Sequence, residues 1–136
     1  MQDPTAYRNN SQYLSTRQYQ DSGNLSSRIQ IHQKFSTGQQ NWYDFVFELA
    51  AIKAEANVLE LGCGSGLLWR YGMNRLSENN RIALSDLSPG MIKDAANALL
   101  GDTRFHFVCM DSMNVSFPAA SFDLIIANHM LYQVPS

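Results

Sequence analysis

Asn57-Val58-Leu59-Glu60-Leu61-Gly62-Cys63-Gly64-Ser65-Gly66 is the stretch on which the reading of this chain turns. Val58, Leu59 and Leu61 form a short apolar run of the kind that makes a strand buried on both faces. Glu60 interrupts that run near its carboxyl end, where an acidic group is costly to bury unless it binds something. Gly62, Gly64 and Gly66 follow at alternate positions, and their missing side chains let the backbone turn tightly and approach a ligand closely. Leu67, Leu68 and Trp69 then restart an apolar pattern that reads as a helix. Strand, glycine turn and helix make the first half of a nucleotide-binding βαβ unit.

The glycine spacing discriminates between nucleotides. A dinucleotide fingerprint needs G-x-G-x-x-G or a closing alanine, and counting from Gly62 that last position is Leu67. A nicotinamide-dependent oxidoreductase is thereby disfavoured. A phosphate-binding P-loop needs a Gly-Lys-Ser/Thr end, which is absent as well. What remains is E-x-G-x-G-x-G, and with it the chain resembles the class I S-adenosylmethionine-dependent methyltransferases, whose first motif has this form. The resemblance runs from about Val58 to Val134, with several motifs in the family's order. It implies an α/β fold: a Rossmann-like, doubly wound parallel sheet with amino-terminal cap helices. It also implies that Glu60 holds the methionine ammonium of the cofactor and that the turn Gly62, Cys63, Gly64 and Gly66 lies under it.

Length and composition narrow the class further. The 136 residues suit one domain, with a core but little to spare for a doubly wound enzyme. A net charge of −2 gives no nucleic-acid footprint. No apolar run is long enough to cross a bilayer, and the polar amino terminus lacks the apolar centre of a signal peptide. Cys63 lies in the glycine turn and Cys109 in a strand expected to be buried, so free thiols in a reducing, cytoplasmic compartment are expected rather than a disulfide. No metal site is expected.

Residues 1–24 are rich in Gln, Ser, Asn, Tyr and Arg and read as a flexible tail or a lid-like segment. Over residues 25–55 two helices are expected. The first carries Leu25, Ile29, His32 and Phe35; the second spans about 41–53, with Trp42, Phe45, Val46, Leu49 and Ile52 on one stripe. In the resembled family such helices roof the cofactor and help form the acceptor pocket, with His32, Phe35 and Tyr43 the residues of interest. Plain core packing onto the sheet is the better account of most of these residues.

Residues 56–136 carry the remaining motifs. After a helix to about Leu76, a second strand over residues 81–86 ends in Asp86. A βαβ nucleotide fold sets an acid there against the ribose hydroxyls, and a carboxylate can accept from both. The alternative, a cap on the next helix, is weaker because Ser88 already supplies an N-cap before Pro89. The resemblance also puts Leu87 beside the adenine. A helix over residues 89–100 stopped by Gly101 leads to a third strand, residues 104–110. Asp111 and Ser112 follow it, either along the adenine edge, as the resemblance implies, or as a turn or cap. A fourth, fully buried strand is expected within residues 121–129, with Asp123 structural at its start. Asn128, His129 and Met130 lie at its end, beside the transferable methyl in the resembled fold. His129 reads either as a general base titrating near neutrality or as a packed residue.

Glu60, Gly62, Asp86, Asp111 and Asn128 thus fall on one edge, outside the carboxyl ends of parallel strands, where such sheets take ligands. The family orders its sheet 3-2-1-4-5-7-6, and only the first four strands are recognised here. The sequence therefore looks like the amino-terminal half or two-thirds of the domain, with a fourth strand open to self-association. Two functions are expected: methyl transfer to a small-molecule acceptor, or a cofactor-binding fragment or partner-dependent subunit without turnover of its own.

Overall fold

The structure, a computed structural model, describes residues 30, 40–128, 130, 131 and 134. The first expected cap helix, apart from Gln30, and residues 1–24 lie outside the described residues, as does His129.

Helix α1 (Trp42–Ala50) starts where the Asn41 side chain accepts from the Tyr43 N–H at 2.9 Å, with Asp44 in the first turn complementing the helix dipole. Strand β1 (Asn57–Leu61) leads through the glycine turn into the short helix α2 (Leu67–Gly72), which tightens into a 3₁₀ turn at Met73–Arg75. Strand β2 (Arg81–Asp86), helix α3 (Pro89–Ala98), strand β3 (Phe105–Cys109) and strand β4 (Leu124–Ala127) complete the order. The N-cap of α3 is Ser88, whose hydroxyl accepts from the Met91 N–H, with Pro89 in the first turn. The helix ends at Ala98, before the expected Leu100, and Gly101 adopts φ +87° three residues on.

The four strands form a wholly parallel sheet in the order β3-β2-β1-β4, the order the resemblance implied. Its centre is made of the residues buried on both faces: Val58 and Leu59 on β1, Ile82 and Leu84 on β2. Two expectations about burial are corrected. Strand β4 is not fully buried, because it is an edge strand among the described residues: Leu124 and Ile126 pack onto the core while Ile125 is 57% exposed. Cys109 is exposed rather than buried, since β3 forms the opposite edge. Asp123 does the structural work expected of it. Its carboxylate accepts from the Asn57 N–H and its own N–H donates to the Asn57 carbonyl, each at 2.8 Å, which locks the start of β4 to the start of β1.

The buried face of α1 is also rotated from the expected stripe. Phe47 enters the core, with Tyr43, Val46 and Ile52 packed beside it, whereas Trp42, Phe45 and Leu49 face outward. The reason lies on α2. A Cβ at Gly72 would stand 2.0 Å from the Phe47 ring, so glycine there opens the slot that the ring fills. Tyr43 stacks on Tyr71, whose hydroxyl donates to Asp44, and Arg75 pairs with the same carboxylate.

Candidate functional site

The carboxyl ends of β1 and β2 bring two acids to one place. Glu60 sits in the buried centre of β1 at 3% exposure, and the Trp69 indole N–H donates to its Oε2 at 2.6 Å. Burial pushes the Glu60 carboxyl up to about 8; the indole N–H pulls the other way, and the nearby Asp86 charge adds to the rise. Asp86 ends β2. Its Oδ2 accepts from the Gly64 N–H and its Oδ1 from the Ser88 N–H, both at 2.9 Å. Burial raises this carboxyl too, against the lowering effect of the Ser88, Gly64 and Leu87 N–H groups. Asp86 therefore ties the glycine turn to the start of α3: its bond to Ser88 lies where the sequence set the weaker, helix-start alternative, and its bond to Gly64 was not foreseen. These backbone N–H groups still leave the carboxylate room for a further donor, since it has about four acceptor positions.

The turn itself is built from left-handed backbone. Gly62 and Gly66 have φ of +70° and +76°, which a side chain rarely tolerates. The missing side chain of Gly62 serves packing as well, since a Cβ there would lie 2.9 Å from the Met130 side chain, whereas one on Gly66 would meet Ala95 and Leu99 at an ordinary contact distance of 3.4 Å. Glycine at position 66 is called for by its left-handed backbone rather than by crowding against α3. Cys63 is buried within it, its N–H donating to the Ser85 carbonyl and its thiol to the Gly64 carbonyl. Burial, with the charges of Glu60 and Asp86, pushes that thiol up, so it stays protonated and is no nucleophile.

Beyond β3, the Asp111 Oδ1 accepts from the Met113 N–H at 2.9 Å, and the Asp111 carbonyl accepts from Asn114. This is a side-chain-closed turn, so the turn reading of Asp111 holds at one of its oxygens. Leu87, Asp111, Ser112 and Asn128 are all half-buried. They follow the carboxyl ends of β2, β3 and β4, along the same edge as Glu60 and Asp86. Trp69, as the partner of Glu60, was missed in sequence. The signal available was an indole about one helical turn past a glycine turn that itself follows a strand carrying an acid. Among the described residues no group of His, Cys, Asp and Glu could hold a metal ion, and no helix is long and apolar enough to cross a membrane.

Comparison with known proteins bears on the family and the fold. Residues 58–136 match the family described as a methyltransferase domain. The chain is 34% identical over 115 residues to malonyl-(acyl-carrier protein) O-methyltransferase 1 of Ilyobacter polytropus, covering 76% of this chain and 42% of that protein. It is 28% identical over 87 residues to a ubiquinone/menaquinone biosynthesis C-methyltransferase of Pseudomonas savastanoi pv. phaseolicola, covering 62% of this chain and 34% of that one. It therefore spans less than half the length of either relative. The crystal structure of a SAM-dependent methyltransferase from Aquifex aeolicus superposes with a TM-score of 0.59 at 19% identity, over 74% of this chain and 55% of that one, which bears on the fold alone. From the strand-turn-helix unit, the sheet order and the match over residues 58–136, the chain belongs to the class I S-adenosylmethionine-dependent methyltransferase family.

Proposed function

We propose that this chain binds S-adenosylmethionine along the carboxyl edge of its sheet, and that the protein carrying it transfers a methyl group to a small-molecule acceptor. The observation that carries the reading is the Asp86 carboxylate, held by the Gly64 and Ser88 N–H groups next to buried Glu60. A preorganised acid of this kind accepts from a vicinal diol without reorganising. In this reading Asp86 holds the ribose and Leu87 covers the adenine. Asp111 and Ser112 line its polar edge, and the turn Gly62, Cys63, Gly64 and Gly66 underlies the chain of the cofactor. Glu60 takes the ammonium, and Asn128 borders the methyl.

The bound cofactor supplies a methyl group already activated on a sulfonium. The protein's share is alignment and exclusion of water, which can supply most of such a barrier reduction without a strong base. His129, which follows Asn128 in the sequence, is the candidate to take a proton from the acceptor. The two relatives' names, one for an acyl-carrier-bound malonyl group and one for quinones, support a small acceptor. We also infer that the outer edge of β4, with Ile125 exposed, pairs with a second copy.

Calorimetric titration with S-adenosylhomocysteine tests the cofactor reading. Asp86→Ala should weaken binding by about 1.5–3 kcal/mol, the scale of a hydrogen bond to a charged group. Equal affinity in a folded Asp86→Ala chain would contradict the assignment.

A further inference from the structure

We propose that Trp69 is a positioning residue for cofactor binding, its indole N–H fixing the Glu60 carboxylate at the glycine turn. The inference rests on the cofactor reading above. Trp69 is completely buried, and its single donor reaches Glu60 Oε2 at 2.6 Å. An indole offers one N–H and no acceptor, so the bond has one direction and requires that oxygen. The ring is held from two sides. Phe47 of α1 meets it edge-on at 5.8 Å, and Phe105 of β3 meets it at 5.9 Å. Phe47 is itself seated in the slot left by Gly72. A chain of contacts thus runs from α1 through the indole to the acid on β1.

The bond does two things for Glu60. It orients the buried carboxylate through Oε2, and it favours the ionised form that an ammonium ligand needs. The ionisable groups facing Glu60 are Asp86 on β2, which opposes its charge, and the neutral Cys63 thiol in the turn. Strand β4 contributes only the uncharged Leu124–Ala127 alongside. Because burial holds the ligand-free carboxyl up to about 8, capture of an ammonium below that pH must release a proton. Affinity for the cofactor should therefore fall on the acid side, with Trp69 setting where that limb begins.

Trp69→Phe keeps the ring between Phe47 and Phe105 and removes only the donor. Titration of the wild-type chain and this variant with S-adenosylhomocysteine across pH is the test. The expected result is affinity lowered about tenfold at pH 7, the scale of one hydrogen bond to a charged group, with the acid limb moved to higher pH. Glu60→Gln should lose the limb altogether. A Trp69→Phe chain that binds like wild type with an unmoved limb overturns the inference alone. Failure of the wild-type chain to bind at any pH overturns the cofactor reading and the inference with it.

A second measurement needs neither ligand nor a change at Trp69. The chain has two tryptophans, Trp42 and Trp69, so Trp42→Phe leaves the indole in question as sole reporter. Its emission should shift as Glu60 titrates, and the shift should vanish in Trp42→Phe/Glu60→Gln. Emission constant with pH would overturn the proposed contact.

Discussion

Replacing Gly72 by alanine puts the packing of α1 on the sheet to a quantitative test. Gly72 closes α2, and its Cα faces the Phe47 ring so closely that an added Cβ would lie 2.0 Å from two ring carbons and 2.8 Å from a third. Its φ of −105° is open to any residue, so backbone strain plays no part. On propensity alone alanine should stabilise a helical position by up to about 1 kcal/mol over glycine. Overpacking a well-filled core costs about 1–3 kcal/mol, and here the ring has little room, being wedged against Trp69. The second effect wins, so a net loss of about 1–2 kcal/mol is expected. For a chain of 136 residues that corresponds to a fall in Tm of roughly 3–10 °C. Thermal and urea unfolding followed by circular dichroism would measure it. Phe47→Leu should destabilise on its own yet relieve Gly72→Ala, giving a favourable coupling of about 0.5–3 kcal/mol in the double-mutant cycle. A Gly72→Ala chain as stable as wild type, or more so, would refute the packing argument.

Three other outcomes follow from the same geometry. Glu60 has its folded-state carboxyl raised from an ordinary 4.5 to about 8, so the native state holds an extra proton between those values and stability falls as pH rises through that window. Glu60→Gln should flatten the profile and exceed wild type above pH 8 in urea unfolding; an unchanged slope would count against a buried, protonated Glu60. A maleimide should label Cys109, which is exposed, and spare Cys63, which is buried with its thiol pushed up, until the chain is denatured. Fast labelling of both in the native chain would contradict the buried turn. Ile125→Lys should lower any concentration-dependent association seen by sedimentation, since it sets a charge on the exposed edge of β4; association of equal strength in the variant would move the interface elsewhere.

Most of the sheet was legible because its signals are local. The apolar run before three glycines, the acid closing β2 and the Ser88-Pro89 cap each depend on neighbours within a few residues, and each lies in the structure as read. The misreadings share a different cause. Whether β3 and β4 bury both faces depends on the strands beside them, and aliphatic content does not reveal that Ile125 and Cys109 lie on edges. The face of α1 was misjudged because a helical stripe is chosen by its partner. Gly72 on α2 selects Phe47 over Phe45 and Leu49. At the site, the acids and glycines were visible in sequence. What they bond to was not, because the Trp69–Glu60 and Asp86–Gly64 bonds form only once the turn closes.

The central claim is that one ligand site runs across the carboxyl ends of all four strands. Amide chemical-shift mapping with S-adenosylhomocysteine on the isotopically labelled chain tests it most directly. Saturable shifts are expected at Gly62, Gly64, Asp86, Leu87, Ser112 and Asn128, with the opposite edge around Arg81 and Arg104 unmoved. Shifts concentrated at that opposite edge, or none in a folded chain, would contradict it.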